Sequence, residues 1–269
     1  MANDRNDLPA LLETDAVKKR FVEVLGKNAH NFIQSLLTVY NGSEELKACS
    51  ARSILAAAGF AATLNLSVSP ALGHAYIIPY KGKAQFQLGW HGLVQLAHRS
   101  GKYLALNSGV VYDGEIRGVD CITGELIRGE KISDEIVGYS AYMRLTNGFE
   151  HSLFMTKAEI EAHALEYSQT YRADKNKSWS TWAKHFDAMA KKTVLKLLLN
   201  RWGYMSADLR TAIQGDQAII TKSTFNYADN SGDTVQREEF YDTEPETEPA
   251  PELERVDPET GEVLTVDAE

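Results

Sequence analysis

The feature that most constrains the fold is a change in hydrophobic period near residue 70. Before it, apolar residues recur at helical spacing, which predicts a helical region over residues 15–40, interrupted near Gly26, and a helix over residues 50–64. Over residues 74–88 the spacing changes to short alternating runs around Lys81-Gly82-Lys83, which indicates a β-hairpin with glycine in its turn. Helices followed by antiparallel strands predict an α+β fold.

The predicted hairpin has one apolar face and one face that carries amide groups. In the segment AQFQL (residues 84–88), Gln85 and Gln87 share one side, and the three apolar residues share the other. Lys81 and Lys83 stand at the tip of the hairpin. The amide face and the two lysines are therefore candidates for contacts with a polar ligand.

The rest of the chain alternates between helices and strands. The helix that follows the hairpin places apolar residues on one side and His91, Gln95, His98 and Arg99 on the other, with Lys102 just beyond its end. The predicted elements are a helix over 90–100, strands over 103–112, 136–145 and 151–155, a helix over 157–167 with a capping box at its start, a polar and mobile loop over 171–178, and a long helix over 180–202.

The long helix carries a second group of basic residues. At 100° per residue, four lysines fall in one sector of its surface, and the large apolar residues fall opposite. A solvated helix face usually mixes Glu with Lys, but here Glu is absent, so contact with nucleic acid is the favoured interpretation and an ordinary solvated face is the alternative. The four residues are Lys184, Lys191, Lys192 and Lys196.

Acidic residues are unevenly distributed along the chain. None occurs from Leu46 to Tyr112, although six basic residues do. A surface that lacks carboxylates but keeps Lys and Arg suits a polyanion, so this segment predicts an anion-binding surface; a buried region with few charges is the alternative. From Asp233 to Glu269 there are 14 acidic residues and two basic residues, so this tail is predicted to be a disordered, solvated interaction segment.

Several function classes lack their sequence signals. The chain contains no P-loop, H-E-x-x-H, G-x-S-x-G or G-x-G-x-x-G motif, and its two cysteines, Cys49 and Cys121, lie far apart. It has no run of apolar residues long enough for a membrane span and no secretory signal at its start. We therefore expect a cytoplasmic protein without a metal, a cofactor or a membrane partner.

Two other function classes remain open on the residues alone. A metal-dependent DNA-processing nuclease would use Asp113, Glu115 and Asp187 around an ion, with Asp120 as a further candidate. A protein that coats single-stranded DNA or RNA would need only the basic surface. Tyr76, Tyr80 and Trp90 are candidates for stacking on bases, and core packing is the alternative for each.

Three stretches of the chain resemble the RecT family of phage and prophage single-strand annealing proteins, and together the resemblance covers about residues 15–215. The pattern L-G-x-A-Y-x-x-P-Y…A-Q-F-Q-x-G, followed by M-A-K-K-T, is specific to that family. The stretches are LGHAYIIPYKGKAQFQLGWHGLVQLAHRSGKY (72–103), VGYSAYMRLTNGFE (137–150) and WAKHFDAMAKKTVLKLLLNRWG (182–203).

The resemblance implies an ATP-independent recombinase that is not an enzyme in the ordinary sense. Such proteins bind single-stranded DNA, pair complementary strands through an annealed duplex intermediate, and assemble with themselves into rings or helical filaments. They act beside a 5′→3′ exonuclease of the RecE type and a host single-strand binding protein. The implied fold is a small antiparallel sheet with a long helix packed across it and a helical lobe, similar to lambda Beta and the eukaryotic annealing proteins.

The residues and the resemblance together predict three regions and a DNA groove. The regions are an N-terminal helical lobe over 1–70, an annealing core over 71–215 and an acidic, mostly disordered tail over 216–269. Cations along the groove would hold phosphates while the base edges stay available to a partner strand. The predicted DNA-binding residues are Lys81, Lys83, Gln85, Gln87, Arg99, Lys102, Lys184, Lys191, Lys192 and Lys196.

Overall fold

The computed structural model describes residues 7–220, 224–226 and 234–236, all of which belong to one compact unit, Met1–Gln236. The predicted acidic tail over 216–269 lies outside the described residues, apart from its first five residues and the two short strands. None of the helices in the described ranges combines the length and the apolar composition that a membrane span requires.

The first part of the unit is a set of helices. The predicted helical region is confirmed, and so is its interruption near Gly26, where a single 3₁₀ turn over residues 26–28 separates two helices. Gly26 has a φ of +56°, a conformation that glycine adopts without steric strain. The helices are α1 (Leu8–Glu13), α2 (Asp15–Leu25), α3 (Ala29–Asn41), α4 (Glu44–Lys47) and α5 (Ala51–Thr63).

Helix α5 packs directly on the predicted hairpin, which consists of β1 (Ala75–Tyr80) and β2 (Lys83–Leu88). The Phe60 and Phe86 rings meet edge to face with their centroids 4.8 Å apart. The Ala84 N–H donates a hydrogen bond to Ser53 Oγ across 2.9 Å. Residues of both parts belong to one hydrophobic core, and the division of the chain at residue 70 stays a prediction.

A three-stranded antiparallel sheet with a long helix across it follows, as predicted. The strands are β3 (Tyr103–Tyr112), β6 (Ile136–Leu145) and β7 (Glu150–Thr156), with β6 in the centre. Helix α10 (Phe186–Trp202) contacts all three strands. Tyr139 and Met143 of β6 are fully buried in the shared core, which confirms the α+β fold class.

The remaining elements complete the unit. The capping box at the start of α7 (Lys157–Tyr167) forms between Thr156 and Glu159, as predicted. The predicted helix over 180–202 is interrupted at His185, whose φ of −135° is not helical, and it therefore consists of two helices, α9 (Thr181–Lys184) and α10. The other elements are α6 (Trp90–Arg99), β4 (Ile116–Val119), β5 (Leu126–Arg128), α7 (Lys157–Tyr167), α8 (Gln169–Ala173), α9 (Thr181–Lys184), α11 (Ala207–Gly215), β8 (Ile219–Ile220), β9 (Thr224–Asn226) and β10 (Thr234–Gln236).

Candidate nucleic-acid interface

The tip of the hairpin presents two exposed lysines beside helix α8. Tyr80 pairs with Lys83, which leaves a two-residue turn at Lys81 and Gly82 with φ values of +45° and +74°, as in a type I′ turn. Lys81 Nζ lies 5.1 Å from the centre of the Tyr80 ring. The Tyr80 hydroxyl donates to Gln169 Oε1 across 2.9 Å, which fixes the tip against α8.

The two glutamines of β2 share a face of the hairpin, but only one of them is partly accessible. In the strand register, Gln85 pairs with Ile78 and Gln87 with Tyr76, on the side away from α5. Gln87 is half-buried, whereas Gln85 is only 6% exposed. Among the described residues, no acceptor lies within hydrogen-bonding distance of Gln85 Nε2, although burying an amide without a partner costs free energy.

Arg99 binds the carboxyl-terminal end of α5, whereas Lys102 forms no ion pair with the described residues. Arg99 donates to the carbonyl oxygens of Leu64 (2.7 Å) and Asn65 (2.6 Å), which follow the last turn of α5. A cation at this position satisfies unpaired carbonyl groups and the negative end of the helix dipole. Lys102 is exposed, and its Nζ atom lies 5.8 Å from the centre of the Tyr204 ring, just past the end of α10.

The four lysines of the long helix do not share one solvated face. Lys184 is exposed at the end of α9, and Lys191 is half-buried. Lys192 is only 7% exposed, because the neighbouring elements cover this side of α10, and Lys196 is partly covered as well. Helical spacing placed the four in one sector, but it could not show which part of that sector packs against the rest of the chain.

Lys192 and Lys196 form ion pairs with Asp216, an acidic residue that the sequence analysis did not identify as part of the site. Lys192 Nζ lies 3.3 Å from Asp216 Oδ2, and Lys196 Nζ lies 2.7 Å from the same oxygen. The Leu88 N–H donates to Asp216 Oδ1 across 2.9 Å. Asp216 comes directly after α11 and has no motif around it, so only the tertiary structure brings it between the hairpin and α10.

Burial and charge act in opposite directions on this cluster. Burial alone would raise the pKa of the Asp216 carboxyl, but Lys192, Lys196 and the Leu88 N–H hold that pKa below its usual range. Burial lowers the pKa of the Lys192 ammonium, and Asp216 opposes this shift. One carboxylate therefore connects the strand β2 to two lysines of α10.

A cavity of about 260 Å³ opens beside this cluster, between α7, α10 and α11. Lys192, Lys196 and Asp216 line it together with His163, Tyr167 and Asn200. Burial lowers the pKa of His163, Glu166 acts to raise it, and Lys196 lowers it further. The cavity is thus polar on its α10 side and aromatic on its α7 side.

Two of the exposed cations among the predicted DNA-binding residues, Lys184 and Lys102, lie near opposite ends of α10. Lys184 precedes the first residue of α10 and Lys102 lies beside Tyr204, two residues past its last one. With a rise of 1.5 Å per residue, the 17 residues of α10 that lie between these two positions span about 25 Å. This arrangement suits an extended polyanion better than a compact ligand.

The acidic residues of the nuclease alternative have other contacts. Asp187 accepts a hydrogen bond from the Tyr139 hydroxyl across 2.5 Å, and burial and Asp187 together raise the pKa of Tyr139. Glu115 Oε2 accepts a hydrogen bond from the Tyr112 N–H across 2.8 Å. In the part of the chain that the structure describes, no three His, Cys, Asp or Glu side chains form a group that could hold a metal ion.

Comparison with known proteins identifies the family of the chain. The sequence model of the RecT family matches residues 30–254. The chain is 39% identical over 266 residues to the uncharacterized protein YqaK of Bacillus subtilis (strain 168), which covers 96% of this chain and 88% of that protein. It is 27% identical over 225 residues to protein RecT of Escherichia coli (strain K12), which covers 79% of this chain and 81% of that protein.

Proposed function

The chain belongs to the RecT family, and from this premise we propose that it binds single-stranded DNA through exposed cations and anneals complementary strands without ATP. Membership in this family makes it a phage-type recombination protein.

One observation supports this proposal independently of the family comparison. The segment from Leu46 to Tyr112 contains no acidic residue, and three of its lysines, Lys81, Lys83 and Lys102, are exposed. Phosphate contacts by lysine provide affinity without sequence preference, and they leave the base edges available for pairing. An annealing protein needs both properties.

We assign the predicted residues to two roles. The accessible cations contact phosphates, and the half-buried Gln87 amide bonds sugar or phosphate oxygens. Gln85, Arg99, Lys192 and Lys196 hold the surrounding elements in place, because each is buried or already paired within the protein. The phosphate-contacting set is Lys81, Lys83, Lys102, Lys184 and Lys191.

Annealing by this route needs no nucleotide hydrolysis. Each base-pair step of a new duplex contributes about 1.4 kcal/mol of stacking free energy, which drives the reaction. The protein has only to reduce the repulsion between two phosphate backbones and to align the strands. It therefore acts as a non-enzymatic annealing protein.

The assembly, the location and the partner proteins that we propose are those implied by the RecT family. The protein assembles into rings or helical filaments on single-stranded DNA in the cytoplasm. A 5′→3′ exonuclease of the RecE type exposes the strand, and a host single-strand binding protein occupies the same substrate.

A strand-annealing assay tests the proposal. Two complementary oligonucleotides with a fluorescent reporter are mixed without ATP, and the parent protein is compared with the double variant K81E/K83E. The matched control is K19E/R20E, which makes the same change in charge at two exposed residues of α2. We expect fast annealing by the parent and the control, and a rate near the spontaneous one for K81E/K83E.

Each outcome has a defined consequence. No acceleration by the parent overturns the proposed activity. Equal rates for the parent and K81E/K83E remove the hairpin tip from the DNA interface. The loss of two phosphate contacts should also lower the slope of log binding constant against log salt by about 0.7 per contact.

A further inference from the structure

The segment between α8 and α9, residues 174–180, is folded around one buried carboxylate. Asp174 Oδ1 accepts a hydrogen bond from the Ser178 N–H (2.9 Å), and Asp174 Oδ2 accepts from the N–H groups of Trp179 (2.9 Å) and Ser180 (2.8 Å). Ser180 Oγ then accepts from the Ala183 N–H and caps α9. The predicted mobile loop over 171–178 overlaps this segment. Hydrogen bonds from backbone N–H groups to the Asp174 carboxylate hold the segment in one conformation.

These bonds withdraw the one acidic side chain of the segment from the surface. Asp174 is the single acidic residue between Tyr167 and Phe186, and it is completely buried. Burial alone would raise the pKa of its carboxyl, but the three N–H donors hold that pKa well below its usual range. The exposed surface of the segment itself therefore carries no carboxylate, although the exposed Glu161 of α7 accepts a hydrogen bond from the Tyr171 hydroxyl. The exposed cations of the segment and of the residues that flank it in α8 and α9 are Arg172, Lys175, Lys177 and Lys184.

The same bonds fix the position of an exposed indole. Trp179 is 53% exposed, although its backbone N–H is bound to Asp174. Trp182, three residues later, is only 6% exposed and packs against Tyr171 and Phe186. The buried tryptophan anchors the start of α9, while the exposed one stands on a segment whose backbone conformation is already set.

We propose that Trp179 is a stacking platform for a base of single-stranded DNA, with the neighbouring cations on the adjacent phosphates. This inference rests on the proposed function and adds a site to it. Aromatic rings beside cations bind single strands without sequence preference, since every base has a π face. Lys177 lies over the Tyr171 ring at 3.3 Å from its centre, so Lys175 and Lys184 are the cations we assign to phosphates.

The charge of the segment favours nucleic acid over a protein partner. A protein–protein contact built around an exposed tryptophan is usually depleted of lysine at its centre. Here lysines stand on both sides of Trp179 in the sequence, and the one carboxylate of the segment, Asp174, is buried. A partner protein or a second copy of the chain would instead be detected as a change in assembly without DNA.

The test compares W179A with W202A in the full-length chain. Trp202 is a suitable control because it is exposed to a similar degree, 49%, but lies at the other end of α10. Binding to labelled oligo(dT) is measured by fluorescence anisotropy over a range of salt concentrations. We expect W179A to bind about 5- to 150-fold more weakly, as loss of one stacked base predicts, with an unchanged salt slope.

Further variants separate stacking from charge and from loss of structure. W179F keeps an aromatic ring and should retain most of the affinity, whereas K175E should lower the salt slope. Equal binding by the parent and W179A, or an equal loss in W179A and W202A, overturns the stacking site while the proposed function stands. Failure of the parent to bind oligo(dT) overturns the proposed function itself. A change in sedimentation of W179A without DNA, with DNA binding intact, assigns Trp179 to a protein contact instead.

Discussion

Lys192 Nζ lies 3.3 Å from Asp216 Oδ2 in the interior of the protein, so a lysine of the long helix is neutralised by the residue that follows α11. The same carboxylate accepts the N–H of Leu88 at the end of β2. The predicted DNA interface has the hairpin on one side and α10 on the other. Asp216 is therefore in a position to fix the spacing between them.

Replacing Asp216 by Asn should destabilise the protein strongly. The substitution leaves the Lys192 ammonium buried without its counter-charge, and removing one partner of a buried pair costs about 3–5 kcal/mol. Urea denaturation measures the free energy of unfolding. D208N is the control, since Asp208 is exposed in the first turn of α11, and it should change that free energy by less than about 1 kcal/mol.

The acid dependence of stability gives a second measure of the same carboxylate. The pKa of Asp216 is lower in the folded protein than its unfolded value of about 3.9, so its contribution is present above that pH and is lost as the pH falls through the folded pKa. D216N should therefore show a shallower loss of stability below pH 4 than the parent. An identical loss of stability below pH 4 in the parent and in D216N would contradict the pairing of Asp216 with the two lysines.

Two adjacent lysines should respond very differently to the same substitution. K191E changes a half-buried residue and should alter the free energy of unfolding by about 0.5 kcal/mol or less, while it weakens binding to single-stranded DNA of any sequence. K192E places a second carboxylate against Asp216 and should cost more than about 3 kcal/mol. Thermal unfolding and anisotropy on both variants check this, and comparable stability of the two would contradict the buried position of Lys192.

Much of the fold could be predicted because local patterns decide it. The alternation around Lys81-Gly82-Lys83 predicted the hairpin, and the pair Thr156 and Glu159 predicted the start of α7. The strands over 103–112 and 136–145 coincide with β3 and β6, because their apolar runs pack in a sheet. These features depend on residues that are close in sequence, and sequence periodicity therefore predicts them.

The site was harder to predict because it depends on contacts between distant parts of the chain. Lys192 falls in the same broad sector of the helix as Lys191 and Lys196, and only its contact with Asp216, 24 positions later, shows that it is buried. Gln85 lies on the expected face of β2, but that face is covered at this position. Trp179 was missed because a polar loop has no periodicity, and the role of Asp174 appears only in its hydrogen bonds.

A glycine of α6 should be intolerant of any side chain. A Cβ atom on Gly92 would lie 2.0 Å from the His74 carbonyl oxygen, and the His74 backbone cannot withdraw easily because the Gly89 N–H also donates to that oxygen. We expect G92A to lower the free energy of unfolding by about 1–3 kcal/mol or more through overpacking. Chemical denaturation of purified protein provides the measurement.

The matched substitution in α5 should act in the opposite direction. A Cβ atom on Gly59 would have no atom within 4 Å, and Ala is a better helix former than Gly by about 0.5–1 kcal/mol. G59A should therefore be neutral or stabilising. A large loss of stability in G59A would contradict the open space beside Gly59, and no loss in G92A would contradict the close approach of α6 to the chain at His74.

The turn of the hairpin allows the charge of Lys81 to be removed without loss of stability. Lys81 has a φ of +45°, a region that costs most residues about 1–2 kcal/mol but that Asn tolerates well. K81N should therefore raise the melting temperature by about 2–4 °C for each kcal/mol gained in a domain of this size. K81V, which is β-branched and disfavoured at positive φ, should lower the melting temperature. If K81N is more stable than the parent but anneals DNA more slowly, the lysine at this position acts through its charge; if it anneals at the parental rate, Lys81 makes no contact with the strand.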